Sequence, residues 1–231
     1  VRDTVSRVKL LVRRMGEEIT EDGISAYKVE QRRAGRANNG INVYLKALKN
    51  YLKYLKLNDI IACKLLPRSQ TDKPILSVDE INDFMAVRKP ERCSEQSWSM
   101  WNMFWEIAYK TGMRCGAISR LQVCDIDFGE NVIHVRRDKT GISDVVIPDS
   151  LVEPLTKYLK TCFIWLFPCG SKNAFGEPVV SGTYWVHSFN THLKLMKNPP
   201  KRRVTPHSFR HSFVDRLKKG KAQWPEIQKS L

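Results

Sequence analysis

The 231 residues carry 39 lysines and arginines against 24 acidic residues, a formal charge of +15, and 42% are hydrophobic. A chain of this length buries cores without disulfides or metals, and its positive charge argues for a polyanionic partner, with nucleic acid first. The six cysteines include no Cys-x-x-Cys, which argues against a zinc ribbon or a disulfide framework and suits a reducing compartment. The apolar stretch Trp98–Tyr109 is too short, and too interrupted by Asn102 and Glu106, to span a bilayer, and no signal-peptide pattern opens the chain. His187 and His192 lack a carboxylate or cysteine partner at metal spacing, and no glycine-rich phosphate loop occurs. No metal, cofactor or membrane is therefore expected, and the protein is expected in the cytoplasm, associated with the nucleoid.

Val5, Val8, Leu11, Val12 and Met15 recur at helical spacing, and Gly16 follows where a helix can end. Asp22-Gly23 reads as a turn, Ile24–Gln31 as a short second helix, and Arg32-Arg33-Ala34-Gly35-Arg36 as an exposed basic loop. A longer helix begins near Asn39. Its apolar face is Ile41, Tyr44, Leu45, Leu48, Leu52 and Leu55, while Lys46, Lys49, Lys53 and Lys56 form a stripe on another face. The plain alternative for that stripe is a solvated surface, but the neighbouring arginines favour phosphate contact. Residues 1–67 carry a net +7 and residues 68–231 a net +8, so the first third is the more densely basic.

The polar stretch Pro67–Pro74 reads as a linker. The spacing thus predicts a helical domain over 1–66, a linker over 67–75 and a second domain over 76–231. Ser77 and Glu80 compose a capping box before Ile81, Phe84 and Met85. Trp98, Trp101, Phe104, Trp105 and Ala108 follow helical spacing and read as core rather than as a base-stacking platform. That helix breaks near Thr111-Gly112, and Ile118–Leu121 suggests another short one. Val123–Phe128, Val132–Arg136 and Asp144–Pro148 read as strands of a small antiparallel sheet with turns at Gly129-Glu130-Asn131 and around Lys139-Thr140-Gly141. Helices return at Ser150–Leu159, Thr183–Met196 and from Pro206 onward, with a loop over Pro168–Pro178. The predicted class is mostly α with one small antiparallel sheet, the second domain being mixed α/β.

In Thr205-Pro206-His207-Ser208-Phe209-Arg210-His211, Thr205 can cap a helix that starts at Pro206. His207 and Arg210 then share one face beside a helix N-terminus, a setting that favours an anion. Thr111-Gly112-Met113-Arg114 delivers an arginine from a helix break, and Arg136-Arg137-Asp138-Lys139-Thr140-Gly141 puts a lysine on a ribbon turn. Each piece alone has a bland reading as a solvated side chain. Lys201, Arg202 and Arg203 add positive charge just ahead of His207.

Over essentially its whole length the chain resembles the tyrosine recombinases, the phage-integrase type of site-specific DNA recombinase. Thr111-Gly-Met-Arg114, Leu121-x-x-x-Asp125-Ile-Asp127, Lys139-Thr-Gly141 and Pro206-His207-x-x-Arg210-His211-Ser-Phe213 look like that family's successive blocks in order. Residues 1–66 resemble its helical, SAM-like core-binding domain. The resemblance implies that a tyrosine attacks a DNA phosphate, leaving a 3′-phosphotyrosyl link and a free 5′-hydroxyl, without metal or cofactor. It implies Arg114 and Arg210 on the non-bridging oxygens, Lys139 as general acid, and His207 accepting or positioning a proton. It further implies duplex DNA held by Arg32, Arg33, Arg36, Lys46, Lys49, Lys53, Lys56, Lys201, Arg202 and Arg203, and a homotetramer on paired sites. Two departures stand out. Ala117 occupies the place of an acidic residue that commonly orients the first arginine. The sequence ends at Leu231, ahead of the family's nucleophilic tyrosine, while its seven tyrosines (27, 44, 51, 54, 109, 158 and 184) all precede Arg210. The expectation is a chain that binds DNA without cleaving it. The alternatives are a non-catalytic DNA-binding or excision factor derived from a recombinase, and a type IB topoisomerase.

Overall fold

The computed structural model describes residues 2–16, 18–69, 74–138, 141–168 and 182–220. The chain divides into two compact units, Val1–Asp72 and Lys73–Leu231.

The first unit is built on α1 (Arg2–Arg14), α2 (Glu21–Arg33) and α3 (Asn38–Tyr54). Its core is Leu11, Ile24, Tyr27, Ile41, Leu45, Leu48, Leu52 and Cys63, which are the periodic apolar positions of the three helices plus one cysteine from the following segment. Asp22-Gly23, expected as a turn, lies inside α2. The Thr20 hydroxyl accepts a hydrogen bond from the Gly23 N–H at 3.0 Å, and Glu21 and Asp22 occupy the first turn. That cap and the two acids at the positive end of the helix offset the cost of one glycine. At its other end α2 extends through Arg33, so Arg32 and Arg33 form its last turn rather than a loop. Helix α3 stops at Tyr54, and Lys56 adopts a left-handed φ of 59°. Lys56 therefore leaves the helical stripe that the spacing had assigned to it.

Residues 66–69 run beside the start of α3. The Asn42 carboxamide makes paired hydrogen bonds to Leu66, accepting from its N–H at 2.8 Å and donating to its carbonyl at 2.9 Å. Asn38 and Asn39 donate to the carbonyls of Pro67 and Ser69, both at 3.0 Å. The first residues of the expected linker are thus tied to this unit by two asparagines, Asn38 and Asn39.

In the second unit α4 (Val78–Met85), α5 (Glu95–Thr111) and α6 (Cys115–Ile118) lead into a 3-10 turn at Val123–Asp125 and a sheet of β1 (Ile126–Asp127), β2 (Val132–Asp138) and β3 (Gly141–Val146). Then follow α7 (Asp149–Leu159), α8 (Gly182–Leu195) and α9 (His207–Lys219). The strands pair antiparallel in the order β1-β2-β3, with Ile133 opposite both Ile126 and Val145 and a register irregularity between Val135 and Asp138. The unit is mostly helical with one small antiparallel sheet, the class that the sequence predicts. Two local expectations change. Val123–Asp125 turns instead of extending, because the Asp125 carboxylate folds back to accept the Gln122 N–H at 2.8 Å. The short helix expected over Ile118–Leu121 lies earlier, at Cys115–Ile118.

Ser77 and Glu80 form the predicted capping box of α4. The tryptophan helix α5 is the central element of the core. Phe104 stacks on Trp185 of α8 at 3.5 Å between ring centres, and the Trp105 indole N–H donates to the Ser188 hydroxyl at 3.0 Å. The Trp105 ring also packs against Phe209 of α9, nearly parallel at 5.6 Å, while Phe84 of α4 meets both Phe189 and Phe209. Four helices are thereby locked through aromatic rings, which fixes the start of α9 against the end of α5.

Candidate functional site

Helix α5 ends because Gly112 takes a left-handed conformation (φ 65°) while its N–H still bonds the Ala108 carbonyl at 3.1 Å. The buried Thr111 hydroxyl stabilises the break, donating to the Ile107 carbonyl at 2.6 Å and accepting from the Met113 N–H at 3.3 Å. The chain re-enters a helix at once: Arg114 is the N-cap of α6, its carbonyl accepting from the N–H groups of Ala117 and Ile118. Arg114 is half-buried, and Ala117, where the family resemblance would put a carboxylate, is packed into the core.

Helix α9 supplies the other half. Pro206 already has helical dihedrals, but no side chain caps the helix. The cap expected from Thr205 is replaced by its reverse. Ser208 accepts the Thr205 N–H on its hydroxyl at 3.1 Å, and the Thr205 main-chain carbonyl accepts from the Ser208 N–H at 2.7 Å. His207 is the first residue of α9 and is exposed, and Arg210 lies one turn on, half-buried. An Arg210 Nη1–H donates to the Gly112 carbonyl at 2.7 Å. The two arginines, distant in sequence, are therefore held at one helix break, with His207 a turn away. His207 also lines a groove of about 750 Å³ with Cys115, Arg120, Asn190, Arg203 and Thr205 among others. Burial pushes the Cys115 thiol up to about 12, so it is a neutral wall of that groove.

Lys139 lies outside the described residues, on the connection between β2 and β3. Close by in sequence, Arg136 Nε stands 2.5 Å from Asp125 Oδ1, and its Nη2 lies 3.1 Å from the Cys124 sulfur. Asp125 is 2% exposed, and among the described residues its Oδ1 has no aligned hydrogen-bond donor, so the contact with Arg136 is ionic. Arg136 is held with its guanidinium raised above its ordinary value, chiefly by the Asp125 carboxylate. Arg120, Arg136 and the Gly112 carbonyl were not singled out from the sequence. An acceptor on the main chain leaves no trace in residue type.

Of the cations expected on DNA, Lys46, Lys49 and Lys53 are exposed along α3, and Lys56 is exposed beyond its end. Arg32 donates to Asn38 Oδ1 at 3.2 Å, and Arg36 lies over the Tyr44 ring at 5.8 Å. Arg33, Lys201 and Arg203 are exposed. Arg202 is differently engaged. It makes a two-pronged pair with Glu80, at 2.7 and 2.5 Å, and also bonds the Ile75 carbonyl. The hydrogen bond from Arg202 holds the Glu80 carboxyl below its usual range, so this arginine serves to fasten the segment before α9 to α4. Among the described residues there is no cluster of three or more His, Cys, Asp or Glu able to hold a metal, and no helix is long and apolar enough to cross a membrane.

Residues 74–231 match the family model described as the phage integrase family, and the chain belongs to that family. Within it the chain is similar to tyrosine recombinases of the Xer type. It is 25% identical to tyrosine recombinase XerA of Thermococcus onnurineus over 99% of this chain and 80% of that protein. It is 26% identical to a putative tyrosine recombinase XerC of Pseudomonas syringae over 82% of this chain and 43% of that protein, and 27% identical to XerA of Pyrococcus horikoshii over 80% and 62%. The latter two alignments span less than two thirds of the relatives' own length. Among solved structures, a lambda integrase dimer bound to a COC′ core site superposes with a TM-score of 0.72 at 20% identity, over 99% of this chain and 67% of that one. The integrase of transposon Tn1549 in complex with transposon right end DNA gives 0.71 at 15% identity, over 99% and 84%. At such identities the likeness is one of fold.

Proposed function

We propose that this chain is the DNA-binding and phosphate-holding part of a site-specific DNA recombinase that works by transesterification through a 3′-phosphotyrosyl intermediate. The observation that carries the reading is the hydrogen bond from Arg210 to the Gly112 carbonyl, which gathers Arg114 and Arg210 at one helix break beside His207. Two guanidinium groups there can take both non-bridging oxygens of a phosphodiester and stabilise the extra negative charge of a pentavalent transition state. Lys139 protonates the departing 5′-oxygen, and His207 accepts or positions the proton of the attacking hydroxyl. Attack by a tyrosine hydroxyl forms the phosphotyrosyl bond as the 5′-oxygen leaves. Attack by a 5′-hydroxyl on that bond forms the new strand and releases the tyrosine.

Every tyrosine within residues 1–231 precedes Arg210, and none is assigned as the nucleophile. The 231-residue polypeptide by itself should bind DNA and leave it uncut. Residues 1–66 act as the core-binding domain and 76–231 as the catalytic domain, joined through 67–75. Phosphate contacts come from Arg32, Arg33, Arg36, Lys46, Lys49, Lys53, Lys56, Lys201 and Arg203, so affinity falls steeply with salt; Arg202, expected among them from the sequence, is taken up by Glu80. Recombination engages four protomers on two duplex sites.

The test starts from a footprint that locates the site, followed by trapping of covalent adducts on nicked duplex with the full reading frame that contains these residues. Arg210→Ala should lower adduct formation by about a hundredfold or more while binding is largely kept. Undiminished cleavage removes Arg210 from the mechanism, and a full reading frame that binds but never forms adducts assigns the chain to a non-catalytic DNA-binding factor.

A further inference from the structure

We propose that Gly112 and Phe213 are positioning residues for the arginine pair, the Gly112 carbonyl fixing Arg210 and the Phe213 ring fixing the peptide that carries that carbonyl. The inference rests on the phosphate-holding reading above. A Cβ at Gly112 would lie 2.2 Å from Phe213 Cδ1, 2.7 Å from Cγ and 2.9 Å from Cε1, so the ring lies directly against the glycine Cα. Phe213 follows Arg210 by three residues on α9, which puts ring and guanidinium on neighbouring parts of one helix face. Both address a single peptide, one by contact and one by hydrogen bond.

The ring has a further neighbour. Phe213 is buried, and the Arg216 guanidinium stands 5.4 Å from its centre. Arg216 in turn covers the Tyr109 ring at 4.6 Å and donates to the Tyr109 carbonyl at 3.4 Å. Gly112 precedes Arg114 by two residues, so a displacement of its peptide also moves the N-cap of α6. Helix α6 has Ala117 where the family resemblance puts a carboxylate, and the Gly112 main-chain oxygen, fixed by the aromatic ring, supplies Arg210 with a rigid acceptor. A larger residue at 112 meets both the ring and an unfavourable positive φ. A leucine at 213 keeps most of the volume but presents a branched surface that cannot lie flat on the glycine.

The experiment labels the arginines of the 231-residue protein with nitrogen-15 and follows their Nε–Hε signals by NMR during titration with inorganic phosphate. Arg114→Lys and Arg210→Lys identify the two signals. In the unaltered protein both should shift with one dissociation constant. Phe213→Leu and Gly112→Ala should each weaken the constant read at Arg210 by about tenfold, as expected when one charged hydrogen bond is misaimed. A purely structural role lowers the melting temperature without touching that constant. A folded variant whose constant stays within about twofold of the unaltered protein therefore overturns the inference. If Gly112→Ala does not fold, Phe213→Leu decides alone. An unaltered protein in which neither signal moves overturns the phosphate reading itself, a result separable from the first.

Discussion

His192 offers a stability test whose size follows from its surroundings. The residue is fully buried in the second unit, its ring sandwiched between Phe84 at 4.7 Å and Trp98 at 4.5 Å. Nδ1 lies 2.9 Å from the Ser188 carbonyl and Nε2 3.1 Å from the Asn102 carboxamide. Burial lowers the imidazole from 6.5 to about 4, so the ring is neutral. A neutral ring donates from Nδ1 to Ser188 and accepts at Nε2, which requires Asn102 to turn its NH2 toward it. Between these two values the unfolded chain binds a proton that the folded one refuses. The stabilisation is complete above 6.5 and is lost as the pH falls toward 4. At 1.36 kcal/mol per unit, that window is worth about 3 kcal/mol. His192→Phe keeps the stack and removes the titration. It should cost about 1–3 kcal/mol at neutral pH through the stranded Ser188 and Asn102 groups. Its stability, from urea unfolding, should then decline between about pH 7.5 and pH 4 by about 3 kcal/mol less than that of the unaltered protein. Equal pH dependence of the two proteins would show that the histidine is not neutral in the fold and would refute the reasoning.

Two further outcomes follow. Replacing Lys46, Lys49 and Lys53 together by glutamine should flatten the slope of log affinity against log salt by about 3, at roughly 0.9 per phosphate contact, in fluorescence-anisotropy titrations of duplex DNA. An unchanged slope would make the α3 stripe a solvated surface. Cys115 should resist alkylation at about pH 8, where only about one thiol in ten thousand is ionised, while the exposed Cys124 reacts. Peptide mapping after iodoacetamide distinguishes them, and rapid labelling of Cys115 would contradict its raised thiol pKa.

What could be read from sequence was whatever is settled by near neighbours. Ser77 and Glu80 cap α4 as their spacing requires, because both partners of each bond lie within one turn. The aromatic run of α5 is buried where helical periodicity places it. Failures arise where two local options compete or where the partner is remote. Asp22-Gly23 has turn chemistry, but Thr20 makes the pair the opening of a helix. Thr205 and Ser208 are both able to cap, and only the geometry of α9 shows that Ser208 provides the side-chain contact. Arg202 reads as one more cation before His207, yet its partner Glu80 is far away in the chain. The order of the motif blocks groups Arg114 and Arg210 in one candidate site, but does not name the Gly112 carbonyl that Arg210 bonds.

The aromatic core bears on that question. Arg210 lies on α9 between Phe209, which packs on Trp105 and Phe84, and Phe213, which packs on Gly112. The α9 backbone around Arg210 is thus located by packing on both sides, and its guanidinium donates to the main-chain carbonyl of Gly112. A carboxylate beside a guanidinium orients it but also offsets its charge, whereas a carbonyl acceptor orients it without adding a negative charge of its own. Holding the group in place before DNA arrives also spares the ordering cost that a free arginine would pay on binding. Under the proposed function, an alanine at position 117, where the family resemblance puts a carboxylate, is compatible with a working pair of arginines, provided that the Gly112 peptide stays where Phe213 holds it.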